Sequence, residues 1–274
     1  MNLLQRLVRS NSPKLERPFQ AMVGYALQRS GFSSRLNLRR ARFNVPFFAH
    51  SNMALTYWTN PDVVDRAEEF AYEFLKPGGV MIDAGANIGC VSAASALAVG
   101  DTGRVYSIEA HPQTYSNLLE TIRINRFQNI TALNVAVGSK PGTLSFTNEK
   151  RKDDVNRVSI GGGTSDIQVP CITLNSLRRD LEIDRVDLLK LDVEGYEMEV
   201  LRGATELLPY VDCIYVEILD HTLRRFGSSA EELKRHLKDA GFSCWRFRDD
   251  PLNAVAFSNR VSPAKWQSQL EAMS

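Results

Sequence analysis

The residues best suited to chemistry open with the run Val80-Met-Ile-Asp-Ala-Gly-Ala-Asn-Ile-Gly89 and the acid Glu109, twenty residues beyond it. An apolar run that ends in Asp83 and opens into Gly85 and Gly89 reads as a buried strand turning tightly into a helix. A second apolar run, Val105-Tyr-Ser-Ile108, ends at Glu109. In doubly wound α/β domains, glycines at such a turn let the backbone approach a ligand, and an acid closing the next strand takes ribose hydroxyls. A site of this kind draws on Asp83, Gly85, Ala86, Asn87, Gly89, Glu109 and Ala110. Asn87 decides between cofactors. It stands where a dinucleotide fingerprint carries a second glycine, and its side chain would crowd a pyrophosphate. An adenosine cofactor without phosphates fits better, which points to S-adenosylmethionine (SAM).

A second group of acids lies further on. Asp192 and Glu194 follow Val186-Asp-Leu-Leu-Lys-Leu191, at the carboxyl end of what reads as the central strand, where open α/β sheets bind ligands. In an extended chain Lys190, Asp192 and Glu194 share a face, and Lys190 reads as the structural partner of an acid. Glu217 ends the next apolar strand, placed either to orient a partner in the same cleft or to cap a loop. His221, beside Asp220, suits a general base and a surface histidine equally well. Asp192, Glu194, Glu197, Glu217 and Asp220 could together hold Mg²⁺ or Ca²⁺. Salt bridges to the many arginines are the simpler account, so a divalent metal is possible but not expected.

These residues need a framework, and hydrophobic periodicity supplies one. Residues 62–75 read as an amphipathic helix closed by Pro77-Gly78-Gly79. Strands are expected at 80–84, 104–109, 130–137, 186–192, 211–219, 242–247 and 253–258. Helices are expected at 88–99, from Pro112 onward, at about 198–208, and after the capping pattern Ser229-x-x-Glu232, with Gly241 as its stop. Two β-segments, 142–147 and 166–172, flank a mobile loop over 150–163. Ser262-Pro263 opens a short terminal helix. Alternating β and α elements imply a mainly parallel sheet covered on both faces.

The 274 residues carry a net charge of +1, which gives no general pull toward nucleic acid. Cys90, Cys171, Cys213 and Cys244 show no Cys-x-x-Cys pair, so reduced thiols in a cytoplasmic protein are expected. Cys90, at a helix start, could have a lowered thiol pKa, but a packing role suits it better. The longest uncharged run, between Asp83 and Asp101, falls short of the ~18 apolar residues of a membrane span. The first 42 residues are biased: nine Arg and Lys against Glu16 alone. The bias suits a transit segment, peripheral contact with an anionic membrane or glycan carrier, or an extension that packs Leu3, Leu4, Leu7 and Phe19 on the core. Pro13 and Pro18 argue against one long helix.

Residues 55–258 resemble the FkbM-type family of SAM-dependent methyltransferases. The resemblance is carried by Ile82-Asp-Ala-Gly-Ala-Asn-Ile-Gly89, by Ile108-Glu-Ala-His-Pro112 with Asn125, and by Asp187-Leu-Leu-Lys-Leu-Asp-Val-Glu-Gly-Tyr-Glu197 with Leu201-Arg-Gly-Ala204. Ala110 departs from the proline common in relatives. The resemblance implies a Rossmann-like class I methyltransferase: a seven-stranded, mainly parallel sheet with its last strand antiparallel, helices on both faces, and an N-terminal helical extension. The expected division is an extension over 1–60, a methyltransferase domain over 61–260 and a tail over 261–274. Asp83 would face the ammonium of SAM, Glu109 would bind both ribose hydroxyls, and Asn134, Val135 and Ala136 would edge the adenine. Asp192, Glu194 and His221 are the candidates to position a hydroxyl acceptor and take its proton. The acceptor is expected to be a sugar, glycoconjugate or polyketide-like hydroxyl, in a pocket built from loop 148–165 and the extension. The alternatives are an NAD-type oxidoreductase, which Asn87 disfavours, and a cofactor-binding module without chemistry. The sequence fixes neither the acceptor nor the oligomeric state.

Overall fold

The computed structural model describes residues 17–63, 65–148, 156–163 and 165–273. It begins with helix Pro18–Ser30, a hairpin of Asn37–Arg39 (β1) and Asn44–Pro46 (β2), and helices Asn52–Thr59 and Arg66–Phe74. Strand and helix then alternate through Val80–Ala84 (β3), helix Cys90–Val99, Arg104–Ile108 (β4), helix Pro112–Asn125 and Ile130–Leu133 (β5). Ala136–Val137 (β6), Gly142–Phe146 (β7) and Ile167–Ile172 (β8) make a separate three-stranded sheet. Helix Leu174–Asp180 leads to Val186–Leu191 (β9), helix Glu197–Arg202, Val211–Glu217 (β10) and helices Asp220–Leu223 and Ala230–Asp239. Phe242–Phe247 (β11), Asn253–Ser258 (β12) and Leu270–Ala272 (β13) complete the chain.

The main sheet runs β13-β11-β12-β10-β9-β3-β4-β5. Strands β5, β4, β3, β9 and β10 are parallel, and β12 lies antiparallel between β10 and β11. Alternation along the strands feeds two cores. Ile82, Leu189, Ile214 and Val216 pack against Val200, Leu201 and Leu233, while Met81, Leu188 and Tyr215 pack against Phe70 and Ala96 on the opposite face. Each fully buried large side chain of this kind contributes about 1.5–3 kcal/mol, and burial on both faces is why β9 reads as a continuous apolar run. From β3 the chain moves outward through β4 and β5, then returns to place β9 on the other side. That reversal opens a crevice beyond the carboxyl ends of β3 and β9.

Several sequence expectations change. The sheet has eight strands, because the tail beyond a 3₁₀ helix at Pro263–Trp266 adds β13 beside β11, burying Leu270 and Trp266. The expected strand over 130–137 breaks after Leu133. Asn134 turns its amide back to donate to the carbonyls of Glu109 and Ala110, at 2.9 and 3.0 Å, and Ala136 joins the second sheet. The helix expected from residue 62 begins at Arg66, where the Asp65 carboxylate caps the amides of Ala67 and Glu68.

Of the basic N-terminal segment, residues 1–16 lie outside the described residues, including Leu3, Leu4 and Leu7. Phe19 does not pack on the core: it is 71% exposed. Arg40 instead is buried, stacked 4.0 Å over the Tyr57 ring and paired with Glu68 at 3.0 Å. Around it, Phe43, Val45 and Tyr57 pack on Ile88 of the glycine turn and on Ala93 and Ala94 of the helix that follows. Both ion-pair side chains are only 4% exposed, so Arg40→Ala strands a buried carboxylate. We expect a loss of about 3–5 kcal/mol in urea unfolding, and much less for an apolar replacement of both partners. A loss below about 1 kcal/mol would show that the pair is solvated in practice. Among the described residues no helix is long and apolar enough to cross a membrane.

Candidate functional site

A cleft of about 1170 Å³, counted to its open mouth, lies over the carboxyl ends of β3, β4, β9 and β10. Its floor is the turn after β3. Gly85, with φ +80°, has no room for a side chain: a Cβ there would lie 1.8 Å from the carbonyl oxygen of Asp192. The expected reason for this glycine, close approach to a ligand, is therefore joined by a stronger one. The turn after β3 presses on the turn after β9. Gly89, with φ +90°, is not part of the lining; a Cβ there meets Leu118 of the neighbouring helix at 2.6 Å. Asn87 adopts φ +50°, which asparagine tolerates, and its side-chain oxygen accepts from the Ile88 amide at 2.7 Å.

Glu109 lines the cleft beside Ala86, Asn87 and Ala110. Each of its carboxylate oxygens accepts one backbone N–H at 2.9 Å, from Asn87 and from His111. This fixes the carboxylate and leaves further lone pairs for a ligand. Burial pushes it up to about 7, against the opposing pull of those two amides. Val135 and Ala136 line an adjoining apolar wall with Val137 and Phe146, while Asn134 braces Glu109 from behind and is not in the lining.

Asp83 lies deeper than expected. Its carboxylate is fully buried and does not line the cleft; it accepts from Ser92 at 2.6 Å and pairs with Lys190 at 3.2 Å. Lys190 also meets Asp192 at 3.3 Å and donates to the Gly85 carbonyl at 3.1 Å. Burial pulls the lysine down, but Asp83 and Asp192 outweigh it and hold it above its ordinary value. Lys190 thus ties the two turns together, the structural role its position suggested.

Asp192, Glu194 and Glu217 meet at the other end of the cleft. Glu194 sits at φ +57°, so it does not continue the extended face expected of it. Glu197 turns inward, accepting from the amides of Val193 and Gly195. Burial pushes Glu217 up to about 8, reinforced by Asp192, Glu194 and Glu197. His221 is not brought here: it is exposed on helix Asp220–Leu223, outside the lining. Asp220 is spent on the amide of Ala230. With Glu197 and Asp220 engaged elsewhere, no three His, Cys, Asp or Glu side chains among the described residues converge as a metal set. Cys90 is buried, which pushes its thiol up rather than down.

The two segments expected to build the acceptor pocket both reach the cleft, through residues the sequence did not name individually. Met53 and Tyr57 arrive from helix Asn52–Thr59 of the extension, and Asn156 and Val158 from the loop beyond β7, of which residues 149–155 lie outside the described residues. Asp65 enters as the cap of the next helix, and Asp65-x-x-Glu68 was the signal that could have marked it. Among the described residues, five acids, Asp65, Glu109, Asp192, Glu194 and Glu217, line the cleft with a single cationic side chain, Lys190. Such a surface repels a pyrophosphate and suits a cationic ligand.

Comparison with known proteins places this geometry in a family. The family described as the FkbM methyltransferase domain matches residues 83–244. The hexuronic acid methyltransferase AglP of Haloferax volcanii is 29% identical over 143 residues, covering 51% of this chain and 55% of that protein. Methyltransferase 1 of Beauveria bassiana is 26% identical over 161 residues, covering 51% and 64%. The chain therefore spans roughly half to two thirds of the length of these relatives. The solved FkbM methyltransferase of Methylobacillus flagellatus is 16% identical, with a TM-score of 0.44 over 74% of this chain and 52% of that one.

Proposed function

Because the chain belongs to the FkbM family of SAM-dependent methyltransferases, we propose that it moves the SAM methyl group to a hydroxyl oxygen of a sugar, glycoconjugate or polyketide-like molecule. The observation that carries the cofactor half is the acidic cleft. SAM brings a sulfonium, an ammonium and one carboxylate, and no phosphate, so its net positive charge finds the carboxylates favourable. An NAD-type cofactor would set its pyrophosphate among them. The Haloferax volcanii relative, a hexuronic acid methyltransferase, supports an acceptor of the sugar class.

In this reading Glu109 receives the ribose hydroxyls, and Val135, Ala136 and Phe146 pack against the adenine. Asp192 and Glu194 hold the acceptor hydroxyl at the far end. When bound, SAM supplies an electrophilic methyl on an excellent leaving group. What is left to the chain is to position the acceptor in line and receive its proton.

Titration calorimetry should show SAM and S-adenosylhomocysteine binding with NAD⁺ much weaker. Glu109→Ala should lose about 1.5–3 kcal/mol of SAM affinity, the range for hydrogen bonds to a charged group. Equal affinity for SAM and NAD⁺ would defeat the cofactor assignment. The acceptor can be sought by mass spectrometry of glycan and lipid extracts from cells with and without the protein, as species differing by one methylene. No such difference in either extract would count against a glycan or lipid-linked acceptor.

A further inference from the structure

The carboxyl of Glu217 is unusual within the cleft, because every other acid there or beside it has work to do. Asp192 pairs with Lys190, Glu109 holds two backbone amides, Asp65 caps a helix, and Glu197 binds the amides of Val193 and Gly195. Glu194 is also engaged. Among the described residues no hydrogen bond or ion pair reaches the carboxyl of Glu217, which closes β10 with its side chain partly buried in the lining. Its charged surroundings are one-sided. Asp192 follows β9, Glu194 lies in the next turn, and Glu197 opens helix Glu197–Arg202. Lys190 is the opposing charge, and it is already held by Asp83, Asp192 and the Gly85 carbonyl. From β12 the register partner is Asn253, whose amide donates to Asp250.

Resting on the methyltransferase reading above, we propose that Glu217 is the proton carrier of the cleft, armed by the charge of the cofactor: it gives a proton to solvent when the sulfonium enters and takes one from the acceptor hydroxyl during transfer. Before the cofactor enters, burial and three nearby acids outweigh Lys190 and keep the carboxyl protonated at neutral pH, since it is pushed up to about 8. A sulfonium in the same cleft stabilises the carboxylate and drives that proton out. The acceptor oxygen then forms its bond to the methyl carbon as the carbon–sulfur bond breaks. The electron pair of that bond stays on sulfur, and the hydroxyl proton passes to Glu217. The products are the methyl ether, neutral S-adenosylhomocysteine and protonated Glu217, so the carboxyl ends as it began. The one proton released per cycle leaves at cofactor loading rather than during chemistry.

S-adenosylhomocysteine shares every group of SAM except the charged sulfur. The difference in proton release between the two therefore isolates the response to the sulfonium and cancels what Glu109 contributes on meeting the shared adenosine. The experiment is titration calorimetry at pH 7 in phosphate and in Tris, buffers that differ widely in ionisation enthalpy, on the full chain. Wild type should release most of one proton more with SAM than with S-adenosylhomocysteine. Glu217→Gln, with S-adenosylhomocysteine binding as the control for folding, should lose that difference, and Glu217→Asp should keep a reduced one. A Gln variant that releases protons as wild type does, or a wild type with no difference between the two ligands, overturns the role of Glu217. Failure of both ligands to bind overturns the cofactor reading itself, so the two failures are told apart.

Discussion

Gly85→Ala is expected to weaken SAM binding by at least about a hundredfold and to destabilise the domain by about 2–5 kcal/mol. Two costs combine at this position. The backbone sits at φ +80°, where a Cβ is disfavoured by roughly 1–2 kcal/mol. The new methyl would also lie 1.8 Å from the Asp192 carbonyl oxygen and 2.9 Å from its carbon, which are backbone atoms and cannot rotate away. Overpacking against a fixed neighbour costs about another 1–3 kcal/mol. Relief requires the turns after β3 and β9 to part, yet Asp192 donates its amide to Ala84 at 3.2 Å and Lys190 clasps the Gly85 carbonyl. Parting them shifts Ala86 and Asn87 relative to Glu109, so cofactor affinity falls with stability. Gly161 is the control: its φ of +85° carries the same strain, but nothing lies within 4 Å of its Cβ position. Calorimetry with SAM and urea unfolding of both variants read the two terms. A Gly85→Ala protein that matches Gly161→Ala in both would show that the turns separate freely.

The contrast between these glycines marks the limit of what could be read in advance. Local periodicity and turn chemistry made β3, β4, β9 and β10 and the loop between β3 and its helix legible, because each depends on neighbours in sequence. The acid at the end of β4 was legible for the same reason. What escaped depends on distance. That Gly85 must be glycine because of Asp192, more than a hundred positions away, is a statement about two turns meeting, and no local pattern encodes it. Asp83 looked like a ligand contact, yet the pairing of β3 with β9 sets it on Lys190 beneath the cleft. His221 had the right chemistry and the right strand, but the chain turns into helix Asp220–Leu223 and carries the ring to solvent. The extension was expected at the pocket, but which of its residues arrive there, Met53 and Tyr57, depends on Arg40 and Phe43 packing that segment against Tyr57 and the glycine-loop helix. Asn134 ended a strand early by donating to two carbonyls, a choice that an apolar window over 130–137 conceals.

Asp192→Asn should cut methyl transfer by about 10–150-fold, the loss of a hydrogen bond to a charged group worth about 1.5–3 kcal/mol, while SAM affinity stays within a few-fold. The substitution keeps the shape of the side chain. It does not release Lys190, which retains Asp83 at 3.2 Å and the Gly85 carbonyl at 3.1 Å, so the floor of the cleft should hold. Asp192 is also 44% exposed, and removing a solvated charge at that distance from the adenosine end costs little binding. Its loss is felt by the acceptor, which forfeits a charged hydrogen-bond partner. It is felt by Glu217 as well, since after burial Asp192 does most to keep that carboxyl protonated. Removing it should lower Glu217 toward its ordinary range, and the extra proton released with SAM at pH 7 should shrink. Methyl incorporation from labelled SAM into glycan and lipid extracts measures the first effect, and calorimetry in paired buffers measures the second. Wild-type turnover in Asp192→Asn would take the residue out of the acceptor site. A tenfold or greater loss of SAM affinity would reassign it to the cofactor, and an unchanged proton count would mean that Asp192 and Glu217 do not feel each other across the cleft.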